Sequence, residues 1–287
     1  MSLRQIPQIK ADHRLNTAQY EIRPDALDKW DPGIQAAATD DPATISMYGE
    51  IGDSYDGNGW TAARVSGILR TVGANQPLTV NLNSPGGDFF EGVAILNLLT
   101  AHKGAVTVNV MGIAASAASV IAMAGDEINM GEGSFLMIHN AWSVAIGNRH
   151  DMQAAAQTLE PFDNAMASLY ADRAGITTAQ AAAMMDKETW LGAEAAVAKG
   201  FATGMLNSSQ IKSTNASARK ALATIEASMA RAGYSRKTRR ETLKALFEGS
   251  MPGAAEDETQ TVITPSADNG SSEIAASLQS LLNTLQG

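Results

Sequence analysis

The chain has 287 residues, 45% of them hydrophobic and 18% charged, which is typical of a globular protein and too apolar for a chain that is disordered throughout. It has no cysteine, which excludes a disulfide framework, a thiolate zinc site and a cysteine nucleophile. The net charge of −9 argues against binding nucleic acid over the whole surface.

This charge is unevenly distributed along the chain. Lys212–Lys244 carries nine basic and two acidic residues, which leaves about −16 for the remainder. The simpler explanation of the basic stretch is a solvated helix face, and a contact with nucleic acid or with an acidic protein is the alternative. We expect no nucleic-acid partner.

Neither a membrane span nor a secretory signal is predicted. No apolar run approaches the roughly 18 residues that a membrane helix needs. Met1–Gln19 mixes charged residues with isolated apolar ones, unlike the continuous apolar core of a signal peptide. We therefore expect a cytoplasmic protein with no membrane partner.

Strands and helices are predicted to alternate through most of the chain. Short apolar runs predict the strands Ala43–Tyr48, Leu78–Leu82, Val106–Met111, Glu127–Met130, Phe135–His139 and Phe201–Leu206. Helical patterns begin at the cap Thr61, at Glu91, near Ser116, at Asp151, at Ala179 and at Ala193, with Gly200 ending the last. This alternation predicts an α/β fold of repeated β-α units around a mostly parallel sheet, with functional groups at strand ends.

The composition changes after Asn207, where Ser, Thr, Ala and charged residues dominate. A helical pattern covers Ala216–Ala232, and the capping box Thr238-Arg-Arg-Glu241 predicts the start of a second helix. We therefore predict an N-terminal extension, a compact α/β domain, a basic helical extension, a flexible linker and an amphipathic C-terminal helix, at residues 1–41, 42–207, 208–250, 251–271 and 272–287. The last helix needs a partner, which is its own core, another copy or another protein.

Two segments of small residues follow predicted strands and are candidates for chemistry. Asn83-Ser84-Pro85-Gly86-Gly87 is in most proteins only a strand-to-helix turn, but its glycines would also let a backbone amide approach an oxyanion. Gly112-Ile-Ala-Ala-Ser116 closes a strand and opens a helix. A serine there is most often an N-cap, yet the alanines around Ser116 leave room for a substrate. Ser119, one turn later, is the weaker candidate.

Of the four histidines, His139 ends a buried-looking strand, whereas the others have simple structural explanations. A lone histidine at a strand end is more often structural than functional. Combined with a serine at the end of an earlier strand of the same sheet, His139 becomes a candidate general base.

The order of these motifs resembles a known family. Asn-Ser-Pro-Gly-Gly, Gly-x-Ala-Ala-Ser, Met-Ile-His and an aromatic-Leu-small-Ala segment are similar to the proteolytic subunit of the Clp protease, over about Ala43–Leu206. More particularly, they resemble the Clp-like prohead (head maturation) proteases of tailed phages and prophages, which also carry variable extensions. The resemblance implies a ClpP/crotonase-like α/β fold, a homo-oligomeric ring and no cofactor or metal.

The same resemblance implies roles by position. Ser116 would attack the peptide carbonyl, His139 would act as general base, and the backbone amides of Gly87 and Ala117 would form the oxyanion hole.

The third member of the triad is less directly indicated. The family places an aspartate two residues before the aromatic residue, and the matching position before Trp190 is Glu188. Asp186 is the alternative, because it lies on the same side if the segment is extended.

The predicted function is an ATP-independent serine endopeptidase that processes phage capsid or scaffold protein during prohead maturation. Met1–Asp41 holds nothing recognisable as the family's loop for an unfolding ATPase, so a partnership with such an ATPase is not expected. No phosphate-binding glycine loop is present, so no ATPase is built into the chain. One alternative is a catalytically silent capsid-assembly or scaffold protein with the same ring fold. The other is a crotonase-like acyl-CoA enzyme, which would need acidic groups near the glycine-rich turn.

Overall fold

The computed structural model describes residues 22–37, 41–54, 57–143, 145, 147–207, 211–213 and 217–248. The predicted linker and C-terminal helix lie outside these residues, as do residues 1–21 and 38–40 of the N-terminal extension. The chain divides into two compact units, Met1–Phe247 and Glu248–Gly287, and everything below except the last residue of the final helix belongs to the first.

The described residues contain nine strands and nine helices. The strands are β1 (Ile34–Ala36), β2 (Thr44–Tyr48), β3 (Leu78–Ser84), β4 (Val106–Ala115), β5 (Glu127–Met130), β6 (Phe135–Ile138), β7 (Thr189–Gly192), β8 (Gly204–Met205) and β9 (Ile211–Ser213). The helices are α1 (Pro24–Lys29), α2 (Ala62–Val72), α3 (Phe89–Thr100), α4 (Ala117–Ala122), α5 (Arg149–Ala174), α6 (Thr178–Asp186), α7 (Ala193–Ala198), α8 (Ser217–Arg231) and α9 (Arg236–Glu248). Of these helices, none is both long and apolar enough to span a membrane.

The main sheet is mostly parallel, which confirms the predicted α/β architecture. Its strand order is β2-β3-β4-β5-β8, and all of these neighbours are parallel. The second half of β4 leaves β5 and pairs in parallel with β6, and β7 joins β6 antiparallel. The long strand β4 therefore connects the sheet to a smaller layer made by β6 and β7.

Alternating side chains give the sheet one apolar face. Val80, Val108 and Ile128 are fully buried in the main core, where Ile95 of α3 and Ile121 of α4 also lie. The opposite face carries a ladder of side-chain amides, in which Asn109 donates to Asn81 and Asn129 donates to Asn109. The helices cover the apolar face because burying it is the main favourable contribution to folding.

A second, smaller core lies behind the end of β4. Leu27 and Trp30 from α1 and its C-cap pack there with Ala115 and Met137 of the sheet and with Ala227 of α8. The short strands β1 and β9 pair antiparallel. Segments from both predicted extensions therefore pack together against the sheet. The domain boundaries at residues 42 and 207 stay a prediction.

The predicted helix starts were mostly correct. Thr61 caps α2 by accepting a hydrogen bond from the Arg64 N–H at 3.2 Å. The predicted start of the last described helix at Thr238 was wrong, because α9 begins at Arg236. Ser235 accepts from the Thr238 N–H at 3.1 Å and therefore takes the capping role, three residues before the predicted cap Thr238.

The predicted last strand Phe201–Leu206 was too long, since only Gly204–Met205 is a strand. Phe201 is fully buried in the main core instead of extending along the sheet. The Thr203 hydroxyl accepts a hydrogen bond from the Ile128 N–H at 2.8 Å, so a side chain provides an edge contact of β5 there.

The second core predicts a stability difference between two truncations. A chain that ends after Asn207 loses α8 and exposes part of Leu27 and Trp30, so its melting temperature should fall by about 5–10 °C, equivalent to roughly 2–4 kcal/mol. A control chain that ends after Glu248 keeps α8 and should melt near the full-length value. Calorimetry of the three chains is the measurement, and equal melting temperatures for the two truncations would contradict the role given to α8.

Candidate active site

Ser116 follows β4 directly and precedes α4. Its backbone is strained, with φ 55° and ψ −124°, a sparsely populated region that costs about 1–3 kcal/mol for a residue with a Cβ. The Ser116 N–H donates to the Met137 carbonyl at 3.1 Å, and the Ser116 carbonyl accepts from the Ser119 N–H at 2.9 Å. These bonds on both sides hold the serine in a conformation that it would not adopt alone.

His139 follows β6 and lies beside Ser116. Ala115 of β4 is paired with Met137 of β6, so the residues that follow each strand are neighbours. The His139 Nε2 is 2.7 Å from the Ser116 Oγ, within hydrogen-bonding distance. The imidazole is 5% exposed. The structure therefore brings together the two residues that the motifs indicated, in the geometry that a nucleophile and its general base require.

The environment of His139 favours the neutral imidazole. Burial lowers the pKa of His139 from 6.5 to about 4, and the Arg23 charge lowers this pKa as well, against the Asp25 charge and a hydrogen bond with the Asn140 backbone, which raise it. The ring is therefore uncharged near neutral pH, which is the form that can accept the proton of a serine hydroxyl.

The glycine turn after β3 contacts Ser116 from the other side. Gly86 has φ 98°, and a Cβ added there would lie 2.7 Å from the Ser116 Cβ. Gly87 has φ 142°, and a Cβ there would lie 2.1 Å from the Ile51 carbonyl oxygen. Both glycines are needed because the conformation and the close approach exclude a side chain.

The amide of Gly87 is directed away from this contact. The Ile51 N–H bonds to the Gly86 carbonyl and the Asp88 N–H bonds to the Ile51 carbonyl, so both groups flanking Gly87 face Ile51. The Gly86 C=O and the Gly87 N–H belong to one trans peptide and point in opposite directions, so the Gly87 N–H faces away from Ile51. A pocket on that side is lined by Gly87, Ala117, Ser116 and His139. Gly87 and Ala117, whose amides are predicted to form the oxyanion hole, thus line the same pocket as the serine and the histidine.

The rest of this pocket is largely apolar. Phe89, Trp142 and Met166 also line it. Phe89 packs against Phe162 of α5 with a distance of 5.4 Å between ring centroids. An apolar side chain of a bound peptide would find complementary contacts there.

Glu188 lies opposite His139 in sequence register, but its side chain points elsewhere. The last antiparallel pair of β6 and β7 is Ile138 with Thr189, so Glu188 and His139 are the next positions. Glu188 has φ 50°, and its two carboxylate oxygens accept hydrogen bonds from Arg23 Nη1 and Nη2 at 2.5 and 2.7 Å.

Asp186, the alternative third member, is bound to a different partner. Its Oδ1 accepts from the Asn140 side-chain amide at 2.8 Å. In the described part of the chain, neither Asp186 nor Glu188 is hydrogen-bonded to His139. The identity of the third member therefore stays a prediction.

Ser119, the weaker candidate nucleophile, is fully buried. Its Oγ donates to the Ser116 carbonyl at 2.7 Å and lies 2.8 Å from the Tyr170 hydroxyl. Because burial also raises the pKa of Tyr170, this pair is neutral and structural.

Sequence reasoning missed Arg23 and Asp25, which belong to the predicted N-terminal extension. The available signal was Arg-Pro-Asp followed by Ala26, Leu27 and Trp30, the pattern of a short helix with proline in its first turn and one apolar face. Nothing in that pattern indicated which part of the fold the helix would contact. Within the described residues, no group of three or more metal-ligating side chains is present.

Comparisons with known proteins identify a family for most of this domain. The family model described as Clp protease matches residues 43–209, more than half of the chain. The Clp protease proteolytic subunit of Leuconostoc citreum is 28% identical over 177 residues, covering 59% of this chain and 86% of that protein. Proteolytic subunit 2 of Treponema denticola is 30% identical over 136 residues, covering 47% of this chain and 68% of that protein.

A solved structure supports the fold. A ClpP1 mutant from Listeria monocytogenes superimposes with a TM-score of 0.50 at 24% identity, covering 58% of this chain and 92% of that chain.

Labelling with a fluorophosphonate, which reacts with activated serines, should separate the two serines. Ser116→Ala should abolish labelling, because it removes the hydroxyl beside His139. Ser119→Ala should retain labelling and lower stability by about 1–2 kcal/mol, because the Tyr170 hydroxyl loses a partner. Mass spectrometry of the labelled peptide is the measurement, and label on Ser119 would show that the wrong serine was chosen.

The low pKa of His139 predicts an unusual pH profile for the same reaction. Only the neutral imidazole accepts the serine proton, so the labelling rate should fall as the pH drops through the His139 pKa. The midpoint should lie near pH 4, well below the ordinary histidine value of 6.5. Labelling rates between pH 3.5 and 8, about the range in which histidines titrate, check this, and a midpoint near 6.5 would contradict it.

Proposed function

Since the chain belongs to the Clp protease family, and is thus a peptidase of the Clp type, we propose that it cleaves polypeptides with Ser116 as nucleophile and His139 as general base. The observation that carries this proposal is the 2.7 Å hydrogen bond between the Ser116 Oγ and the His139 Nε2, at the ends of two paired strands. The strained backbone of Ser116 adds support, because such strain concentrates at functional sites.

The reaction follows from the positions of these groups. His139 Nε2 takes the proton as the Ser116 Oγ attacks the peptide carbonyl carbon, and the carbonyl oxygen becomes an oxyanion that accepts hydrogen bonds from the Gly87 and Ala117 amides. His139 then gives the proton to the leaving amine, which breaks the peptide bond and leaves an acyl-serine ester. Water attacks this ester with the same base, which restores the serine and releases the acid.

The pocket supports an apolar residue on the acyl side of the cleaved bond. Phe89, Trp142 and Met166 lie beside Ser116 and offer no charged group to a substrate side chain. A charged side chain there would lose its hydration without gaining an opposite charge, so it should be a poor substrate.

For the biological substrate we propose phage capsid or scaffold protein, cleaved during prohead maturation by a homo-oligomeric ring. The order of the motifs, which resembles the Clp-like prohead proteases, and the long segments on both sides of the matched residues 43–209 support this. The relatives above are named as ATP-dependent subunits, whereas we propose that this chain acts without ATP. The packing of α1 into the second core with α8 supports that difference, because this N-terminal segment is already engaged within the chain.

The test is cleavage of a scaffold-fused capsid precursor in the absence of nucleotide, followed by mass spectrometry of the fragments. The wild-type chain should cleave the precursor, and Ser116→Ala or His139→Ala should slow cleavage by about 10³-fold or more. The double variant should be about as slow as either single variant, because the two residues act as a unit.

His150→Ala is the matched control, since His150 is an exposed histidine at the start of α5 and should leave cleavage unchanged. Cleavage that survives Ser116→Ala would refute the mechanism. A serine that labels while the capsid precursor stays intact would refute the substrate. A chain whose serine never labels would favour the catalytically silent scaffold.

A further inference from the structure

Helix α1 places a charged pair directly behind the proposed catalytic residues. Its buried residues pack with Ala115 and Met137, which lie one position before Ser116 and two positions before His139. Arg23, the N-cap of α1, makes no capping hydrogen bond through its side chain, so that side chain is available for other contacts. The position of α1, and with it that of Arg23, is therefore fixed by packing against the same strands that precede the serine and the histidine.

Arg23 binds two carboxylates at once. Its Nε donates to Asp25 Oδ1 at 2.9 Å, and its two terminal nitrogens donate to both oxygens of Glu188 at 2.5 and 2.7 Å. The Arg23 side chain is 15% exposed, against 47% for Glu188. Such fork-shaped pairing fixes orientation as well as distance, which a lysine cannot reproduce.

The Glu188 backbone is strained in this arrangement. Glu188 follows the C-cap Lys187 of α6 with φ 50°, a position that helices usually fill with glycine or asparagine. The positive φ interrupts the antiparallel pairing one residue before Thr189, where Glu188 would otherwise stand opposite His139. The ion pair with Arg23 holds the carboxylate in this orientation.

Charged groups on several elements lie near His139 or its neighbours in the chain, and two of them act on the imidazole itself. From α1 these are the guanidinium of Arg23 and the carboxylate of Asp25, which act on His139 with opposite sign. Asp186 at the end of α6 is bound by Asn140, the neighbour of His139. On α5, Asp163 is bound by the Ala141 N–H. Arg23 is the cation of this set, and Glu188 is the carboxylate that it neutralises.

We propose that Arg23 is a positioning residue that latches Glu188 away from His139, so that the active site gains activity when the Arg23–Glu188 ion pair opens. This proposal rests on the proposed function, because it concerns the same serine and histidine. We call this ion pair the Arg23 latch.

The physical reason is the charge that the histidine acquires during catalysis. When His139 takes the serine proton it becomes a cation, which a nearby guanidinium destabilises and a carboxylate stabilises. With the latch closed, both carboxylate oxygens of Glu188 accept hydrogen bonds from Arg23. With the latch open, Glu188 can turn toward the position opposite His139 and accept a hydrogen bond from the Nδ1–H.

The test measures fluorophosphonate labelling rates of the full-length chain. Arg23→Gln should raise the rate by about tenfold, because it removes the opposing charge and frees Glu188. Adding Glu188→Gln to that variant should remove most of the gain. Lys29→Gln is the matched control, since it removes a cation of the same helix that lies over the Trp190 ring, and it should leave the rate unchanged.

A second measurement does not depend on activity. The pKa of His139, followed by NMR of carbon-13-labelled histidine, should rise in Arg23→Gln above the wild-type value of about 4 and fall in Glu188→Gln, where the Arg23 charge loses a neutralising partner. Arg23→Lys keeps the charge without the fork, so its His139 pKa should stay close to that of the wild type.

The outcomes separate this proposal from the proposed function. If Ser116 is labelled, but no faster in Arg23→Gln than in the wild type, the latch is overturned and the peptidase proposal stands. Shifts of the His139 pKa in the expected directions, in a chain that never labels, would support the geometry of the latch and overturn the peptidase proposal. A His139 pKa that responds to neither Arg23→Gln nor Glu188→Gln would overturn the latch by itself.

Discussion

The parallel pairing of β4 with β6 is the constraint on which the candidate site depends. Strand β4 is ten residues long, and its first half completes the main sheet with β5 while its second half pairs with β6. The register of Ala115 with Met137 then places the next residue of one strand, Ser116, within hydrogen-bonding distance of His139 on the other. A shift of one residue would turn every side chain of β6 to the opposite face and separate the pair.

Backbone contacts hold the remaining parts of the site to this pairing. The Asn83 side chain, fully buried, donates to the carbonyls of Asp31 and Ile34 at 2.7 and 2.8 Å and accepts from the Ile113 N–H at 3.1 Å. One amide thus joins the glycine turn, the end of β4 and the segment after α1. The bond with Ile113 is buried and the other two are partly buried, so loss of Asn83 would remove a polar partner from three segments at once.

The sequence predicted those parts of the site that local backbone chemistry determines. Ser116 and the glycine turn lie at strand ends, where the amino-acid sequence itself shows a strand pattern, then small residues, then a helical pattern. The position of Glu188 before Trp190 was indicated by the family resemblance, but the direction of its side chain was not. That direction depends on Arg23, which is separated from Glu188 by 165 positions. A contact at such separation between two exposed-looking charges leaves no periodic pattern in the sequence.

The parts of the site therefore differ in how rigidly they are held. The proposed nucleophile and oxyanion amides are fixed by backbone hydrogen bonds and by glycine conformations, so they change little without local unfolding. Glu188, the proposed third member, is held by one ion pair between flexible side chains, one of them half exposed, and exposed ion pairs contribute only about 0–1 kcal/mol. The group proposed to orient the general base is therefore the one that a bound partner or a neighbouring subunit can shift at least cost, by engaging Arg23 or by displacing α1 from the second core.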